Sequence, residues 1–164
     1  MTRTVTMPPC PIGRAVELVG DRWTLLIIRS AMHGVTRFDE FRAVLGIADN
    51  VLSNRLSRLV EDGLLVRVPY RTNGRTRQEY RLTPAGADFS PVLRALANWG
   101  TAHTDPDQPA EPMRFLHRDC GRDLPDAGTY CPHCDRPVGR SDQLWMSPWR
   151  SGEPYPLAEP VAVD

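Results

Sequence analysis

A chain of 164 residues, 41 % apolar and 24 % charged, has room for one ordinary domain and a small appendage. It has no apolar run near the roughly 18 residues of a membrane helix and no secretory leader, so the expected location is the cytoplasm, off the membrane. The net charge of zero hides an asymmetry: residues 1–100 carry 14 Arg against nine acids, whereas residues 101–164 carry six Arg against eleven, so a local basic patch in the first hundred residues can act on nucleic acid whatever the whole-chain charge.

In chain order, residues 12–20 and 23–33 read as two helices broken at Gly20–Asp21, the second apolar enough to be central. Thr36 is placed to cap a third helix whose Phe38, Phe41 and Leu45 recur at helical spacing and which Gly46 stops. Asp49 is placed to cap a fourth helix, with Leu52, Leu56, Leu59 and Val60 on its apolar stripe and Gly63 at its end. The opposite face shows Asn50, Ser53, Asn54, Ser57 and Arg58, with no acid until Glu61. Two short helices joined by a tight turn, the second with such a face, form a helix-turn-helix. Asn pairs well with adenine and Arg with guanine or phosphate.

The period then changes to that of strands. Residues 64–70 and 77–83 alternate around Asn73–Gly74, which predicts a hairpin, or wing. Arg67, Arg71, Arg75, Arg77 and Arg81 fall within its fifteen residues, opposed only by Glu79. Thr83–Pro84 opens a long helix through about His103, kinked at Pro91, with Val92, Leu93, Leu96 and Trp99 on one side. That stripe has little of its own small domain left to bury against, which marks it as a dimer seam. Trp23, Phe38 and Phe41 read as core.

Beyond a Pro/Asp linker, His117-x2-Cys120 and Cys131-x2-Cys134 form two knuckles ten residues apart. Four N/S donors at that spacing suit tetrahedral, structural Zn2+, and a closed donor set leaves no coordination site for hydrolysis. His133 in place of His117, or a disulfide between two of the three cysteines, stays open as an alternative. So little apolar material accompanies the knuckles that the module needs a staple to fold. Residues 141–164, rich in proline, are expected to be irregular. No phosphate-binding glycine loop, nucleophile elbow or HExxH pattern is present in the sequence, so an enzyme is not expected.

Five ordered motifs carry a resemblance: Cys10–Pro11, Gly20–Trp23, Gly34–Phe41, Leu52–Leu64 and Glu79–Gly86. Over about residues 10–103 the chain resembles the HxlR family of winged-helix regulators, relatives of the MarR type. The fold class expected is therefore α+β: a winged helix-turn-helix domain (10–104) with a C-terminal dimerisation helix, then a zinc-ribbon-like module (113–140) and a tail (141–164). The resemblance implies a homodimer that binds double-stranded DNA at an inverted repeat, more readily as a repressor than as an activator. It further implies that Asn50, Val51, Asn54 and Arg58 face the groove, Val51 in place of the relatives' Thr for an apolar contact such as a thymine methyl, and that Arg75 and Arg77 contact phosphate or the minor groove; Arg71, on the same arginine-rich hairpin, reads as a further phosphate binder. Many relatives open the recognition helix with Ser-Pro-Lys-Thr, and Ala48-Asp49-Asn50-Val51 here predicts a different operator. Cys10, just before the first helix, where amide dipoles favour a thiolate, resembles a sensing thiol of some members; members without redox behaviour share the Cys-Pro opening, and an inert, partly buried thiol stays open as the alternative. A zinc-ribbon interaction module scaffolded by the winged helix, and a regulator that takes a small-molecule effector in an interface pocket, are the competing readings.

Overall fold

The computed structural model describes residues 10–104, 107, 111–125 and 128–162. Four helices come first: α1 (Pro11–Val19), α2 (Arg22–Met32), α3 (Phe38–Leu45) and α4 (Asp49–Glu61). Asp21 starts α2, its carboxylate accepting from the amides of Trp23 (3.0 Å) and Thr24 (3.2 Å) and pairing with Arg55 of α4 at 3.4 Å. Burial works against that charge, but the bonds from Thr24 and the Arg55 guanidinium outweigh it and hold the carboxyl below its ordinary value. The cap of α2 is thus also a tie to α4.

Two expected caps differ. Arg37, not Thr36, is the N-cap of α3; the Glu40 carboxylate reaches back to accept from the amides of Thr36 (3.1 Å) and Arg37 (3.0 Å). Ala48 rather than Asp49 is the N-cap of α4, and Asp49 lies in its first turn, where a carboxylate suits the helix dipole, bound by Arg42 at 3.3 Å.

Strands β1 (Leu65–Thr72) and β2 (Arg75–Leu82) pair antiparallel from Leu65↔Leu82 to Thr72↔Arg75. The two turn residues, Asn73 (φ 47°) and Gly74 (φ 73°), both take the left-handed conformation that a type I′ hairpin demands. The Tyr80 amide donates to the Thr36 carbonyl at 2.7 Å, so the wing is stitched to the entrance of α3.

The expected long helix from Pro84 is two: α5 (Pro84–Ala87) and α6 (Ser90–His103), with the break at Asp88–Phe89 instead of a kink at Pro91. Pro91 has no amide hydrogen and would crowd the carbonyl four residues back, so it sits in the first turn of a new helix. Thr83 caps α5, accepting from Gly86 at 3.1 Å and donating to the Gly63 carbonyl at 2.6 Å. A Cβ on Gly86 would stand 2.1 Å from the Leu64 carbonyl oxygen, so only glycine allows this approach.

The remainder carries β3 (Arg114–His117), β4 (Tyr130–Cys131), β5 (Arg136–Pro137), β6 (Gln143–Met146) and β7 (Tyr155–Pro156). β3, β6 and β7 form an antiparallel sheet, and β4 pairs with β5 in the knuckle lobe. The tail expected to be irregular is thus partly ordered in this sheet. Trp145 (1 % exposed) and Leu157 join Phe115 in the same core as α2, α4 and the wing base. Trp145 meets Phe115 edge to face at 5.2 Å. The Ala158 amide then donates to the Met32 carbonyl and the Val161 amide to the Leu82 carbonyl, strapping the end of α2 to the base of the wing. Enough apolar side chains punctuate the prolines to bury the strap against the helical body.

Candidate nucleic-acid interface and metal centre

Helix α4 turns Leu52, Leu56 and Leu59 into the core and leaves Asn50, Ser53, Asn54 and Arg58 exposed, with Val51 half-buried. The Asn50 side-chain oxygen Oδ1 accepts from the Val51 amide at 2.9 Å, and Arg58 pairs loosely at 3.7 Å with Asp62, the C-cap of its own helix. The acidic departure at Asp49 is offset by Arg42, which also pairs with Asp39 at 3.3 Å; that compensation spans two helices and was not visible in the sequence pattern. Arg55 and Arg37 brace the unit, Arg55 through Asp21 and Arg37 by stacking over the Tyr70 ring at 4.7 Å.

The wing carries charge on both faces. Residues opposite one another in an antiparallel pair share a face, so Arg75 and Arg77 stand with Thr72 and Tyr70, while Arg67 and Arg71 stand on the other side with Tyr80 and Thr76. Arg71, Arg75 and Arg77 are exposed and make no ion pair among the described residues. Arg67 instead donates to Ser57 of α4 at 3.1 Å, joining the wing to the exposed helix face. Unpaired guanidiniums beside a helix face of short amides and hydroxyls form an anion-seeking surface that leaves base edges room to approach.

On α6, Val92 (44 %), Leu96 (45 %) and Trp99 (61 %) are exposed, and Ile12 and Val16 of α1 are exposed as well. Leu93 departs from the expected stripe: it is 8 % exposed and packs into its own core. Cys10 is the half-buried N-cap residue of α1, its thiol making no capping bond.

His117, Cys120, Cys131 and Cys134 come together with their donor atoms all within 4.8 Å of one another. Strand β3 delivers His117 and β4 delivers Cys131; Cys120 and Cys134 lie three residues beyond each. His117 Nδ1 is 3.3 Å from Cys120 Sγ and 3.4 Å from Cys134 Sγ, and the Cys120 and Cys131 sulfurs are 3.7 Å apart. All four cysteines are free, and His133 is exposed and outside the cluster.

The chemistry of this donor set fits a metal. Burial tends to raise the Cys131 thiol, but the amides of Cys134 and His133, with the neighbouring thiols, more than offset it and favour the thiolate. Cys134, burdened by burial and by its two sulfur neighbours, is pushed up to about 11. Three sulfurs crowded this closely around one imidazole resist ionising together, which is the electrostatic situation a cation relieves. A metal on Nδ1 puts the ring hydrogen on Nε2, so the Arg136 Nη2 now 3.2 Å from Nε2 would have to give way. Among the described residues only Leu124, Cys131 and Val138 are buried in this lobe's own cluster, too little apolar material to hold it unaided. Arg94 of α6, 3 % exposed, anchors the lobe by donating to the carbonyls of Leu124 (3.0 Å) and Pro125 (2.5 Å).

The model of the HxlR-like helix-turn-helix family matches residues 18–108. The uncharacterized HTH-type transcriptional regulator Rv3095 of Mycobacterium tuberculosis is 44 % identical over 127 residues, 77 % of this chain and 78 % of its own. Bacillus subtilis YvaP, another uncharacterized HTH-type transcriptional regulator, is 35 % identical over 59 % of this chain and 91 % of its own. Among solved structures, PA1607, described as a candidate transcription factor, is 37 % identical with a TM-score of 0.64, covering 83 % of this chain and 93 % of its own. The redox regulator HypR in its reduced form is 26 % identical with a TM-score of 0.53, covering 57 % of this chain and 92 % of its own. The helix-turn-helix, its wing and these likenesses together make the chain a member of the HxlR-like helix-turn-helix family of transcriptional regulators.

Proposed function

We propose that the chain is a homodimeric transcriptional repressor of the cytoplasm that reads an inverted-repeat operator in double-stranded DNA. The observation that carries this reading is the exposed face of α4, free of acids from Asn50 to Arg58 and flanked by wing arginines without ion pairs among the described residues. In this reading Asn50, Val51, Ser53, Asn54 and Arg58 enter the major groove, while Arg71, Arg75 and Arg77 hold the backbone. Val92, Leu96 and Trp99 form the subunit seam; their exposure in a single chain, together with that of Ile12 and Val16, supports it. His117, Cys120, Cys131 and Cys134 hold a structural Zn2+ that staples the ribbon lobe. None of the helices among the described residues is long and apolar enough to cross a membrane.

The test is selection of bound fragments from genomic DNA at near-physiological salt, with Asn54→Ala/Arg58→Ala as control. A two-fold symmetric site, lost in the variant, is expected; binding indifferent to sequence would refute operator reading. A second reading, redox control through Cys10, draws on its place at the N-cap of α1 and on the likeness to HypR, described as a redox regulator. Operator affinity unchanged by a thiol oxidant, or by Cys10→Ser under oxidant, would remove it.

A further inference from the structure

The end of α2 carries two positive charges with no carboxylate beside them among the described residues. Arg29, in the last turn of α2, and Arg150, in the C-terminal strap, line a hollow of about 400 Å³ together with His33, Val35, Val44 and Trp149. No acid lines it, and neither guanidinium makes an ion pair among the described residues.

Arg29 is half-buried, and burial works against its charge with the Tyr155 phenol in its favour. Its Nε is enclosed, whereas Nη1 and Nη2 are neither enclosed nor hydrogen-bonded among the described residues. Arg150 is exposed; its Nη1 donates to the His33 carbonyl at 2.9 Å and its Cζ lies 4.7 Å over the Tyr155 ring. A guanidinium has five N–H donors, so most of that fork stays open. After burial, these two charges are what hold His33 below its ordinary value, so both guanidiniums face one imidazole. The negative end of α2 offsets roughly half a charge, against two full ones. A positive excess of that size calls for an anion of more than one charge, and guanidinium forks match phosphate oxygens. Val44 (58 % exposed) and Trp149 (54 % exposed) add apolar surface beside the charges.

We propose that this hollow binds a small phosphate monoester, its phosphate between Arg150 and the Nη atoms of Arg29 and its organic part against Val44 and Trp149. Trp149 and Arg150 lie beyond the 18–108 span of the family model, so the winged helix alone does not supply the site. Arg75 and Arg77 line a separate hollow at the wing tip, where a phosphate also meets guanidiniums, and the DNA backbone is a second source of phosphate; the test separates both.

Monobutyl phosphate, inorganic phosphate and pentanoate are titrated by calorimetry into the full-length protein, without DNA, at a pH of about 7.5, where the monoester is mostly a dianion. Monobutyl phosphate is expected to saturate with a Kd below about 1 mM, at least about tenfold tighter than pentanoate, which has the same alkyl chain and one charge, and about threefold tighter than inorganic phosphate. Arg29→Met and Arg150→Met should each weaken it at least about tenfold. Arg29→Lys and Arg150→Lys keep the charge and lose the fork, should weaken it about threefold, and carry the comparison where a Met variant fails to fold by urea unfolding. Arg75→Ala with Arg77→Ala should leave monobutyl phosphate affinity unchanged. Arg29→Met with Arg150→Met, or the paired Lys variant for salt-independent affinity, should leave DNA binding unchanged. No saturation at about 1 mM, pentanoate or inorganic phosphate binding as tightly, or affinity unchanged in the folded Arg29 and Arg150 variants would each overturn the proposal. So would affinity lost with the wing arginines, or a logarithmic salt dependence of DNA binding flattened by about 2 in the double Met variant, which would give these side chains to the DNA backbone.

Discussion

His33 closes α2 beneath the C-terminal strap, and acid should loosen that junction. Its Nε2 is 2.8 Å from the Tyr155 hydroxyl, and its ring lies edge-on to Tyr155 at 4.9 Å and to Trp145 at 6.2 Å. Burial, then the charges of Arg29 and Arg150, lower its pKa from 6.5 to about 3. The native state therefore keeps a neutral ring while the unfolded chain takes up a proton as pH falls through 6.5. The stability contributed by the neutral ring is whole above that pH and is lost progressively toward the folded value. From the two values, lowering the pH from about 7 to about 5 removes roughly 2 kcal/mol, at about 1.4 kcal/mol per unit of separation. Urea unfolding of wild type and His33→Gln at both pH values isolates this contribution, because the other titrating groups cancel in the difference. The variant is expected to be less stable near neutrality and to lose about 2 kcal/mol less on acidification. Equal losses in the two proteins would refute the reasoning.

Gly86→Ala should cost several kcal/mol in thermal or urea unfolding, since its methyl would meet the Leu64 carbonyl at 2.1 Å; a loss below about 1 kcal/mol would mean that the chain shifts freely there. Arg75→Ala with Arg77→Ala should weaken DNA binding at every sequence and flatten the logarithmic salt dependence by about 2, near 0.9 per lost phosphate contact. An unchanged slope would take those side chains off the backbone. Elemental analysis should find one zinc per chain, absent from Cys131→Ser, with faster amide exchange around residues 117–138 and unchanged protection in α4. Metal-free protein with a fully protected ribbon lobe would refute the staple.

The helix-turn-helix and wing were legible because each depends on short-range chemistry. Gly46 and Gly63 end helices in the left-handed region, and Asn73–Gly74 fixes the hairpin. The two knuckles were legible from spacing, since three-residue steps can turn both donors of each pair inward. What escaped was decided at long range. Thr36 and Asp49 are both good capping types, and only the packed structure shows Glu40 closing one helix end and Arg42 holding the aspartate at the other. Leu93 shares a helical stripe with Leu96, yet the sequence cannot distinguish a stripe facing its own core from one facing a partner. Trp145, Tyr155 and Leu157 stand among prolines with no period, and the surface that buries them lies at the end of α2, more than a hundred residues earlier.

That separation bears on how the chain acquires its structure. Arg150 reaches the His33 carbonyl across 117 positions and Tyr155 reaches the His33 ring across 122. Loop-closure entropy makes contacts of this span slow to form, whereas the helix-turn-helix and hairpin close over short loops. The winged body should therefore collapse first with the end of α2 still wet, and the strap should dock in a later step. During that interval the indole of Trp145 has no home, and the chain is at its most prone to self-association.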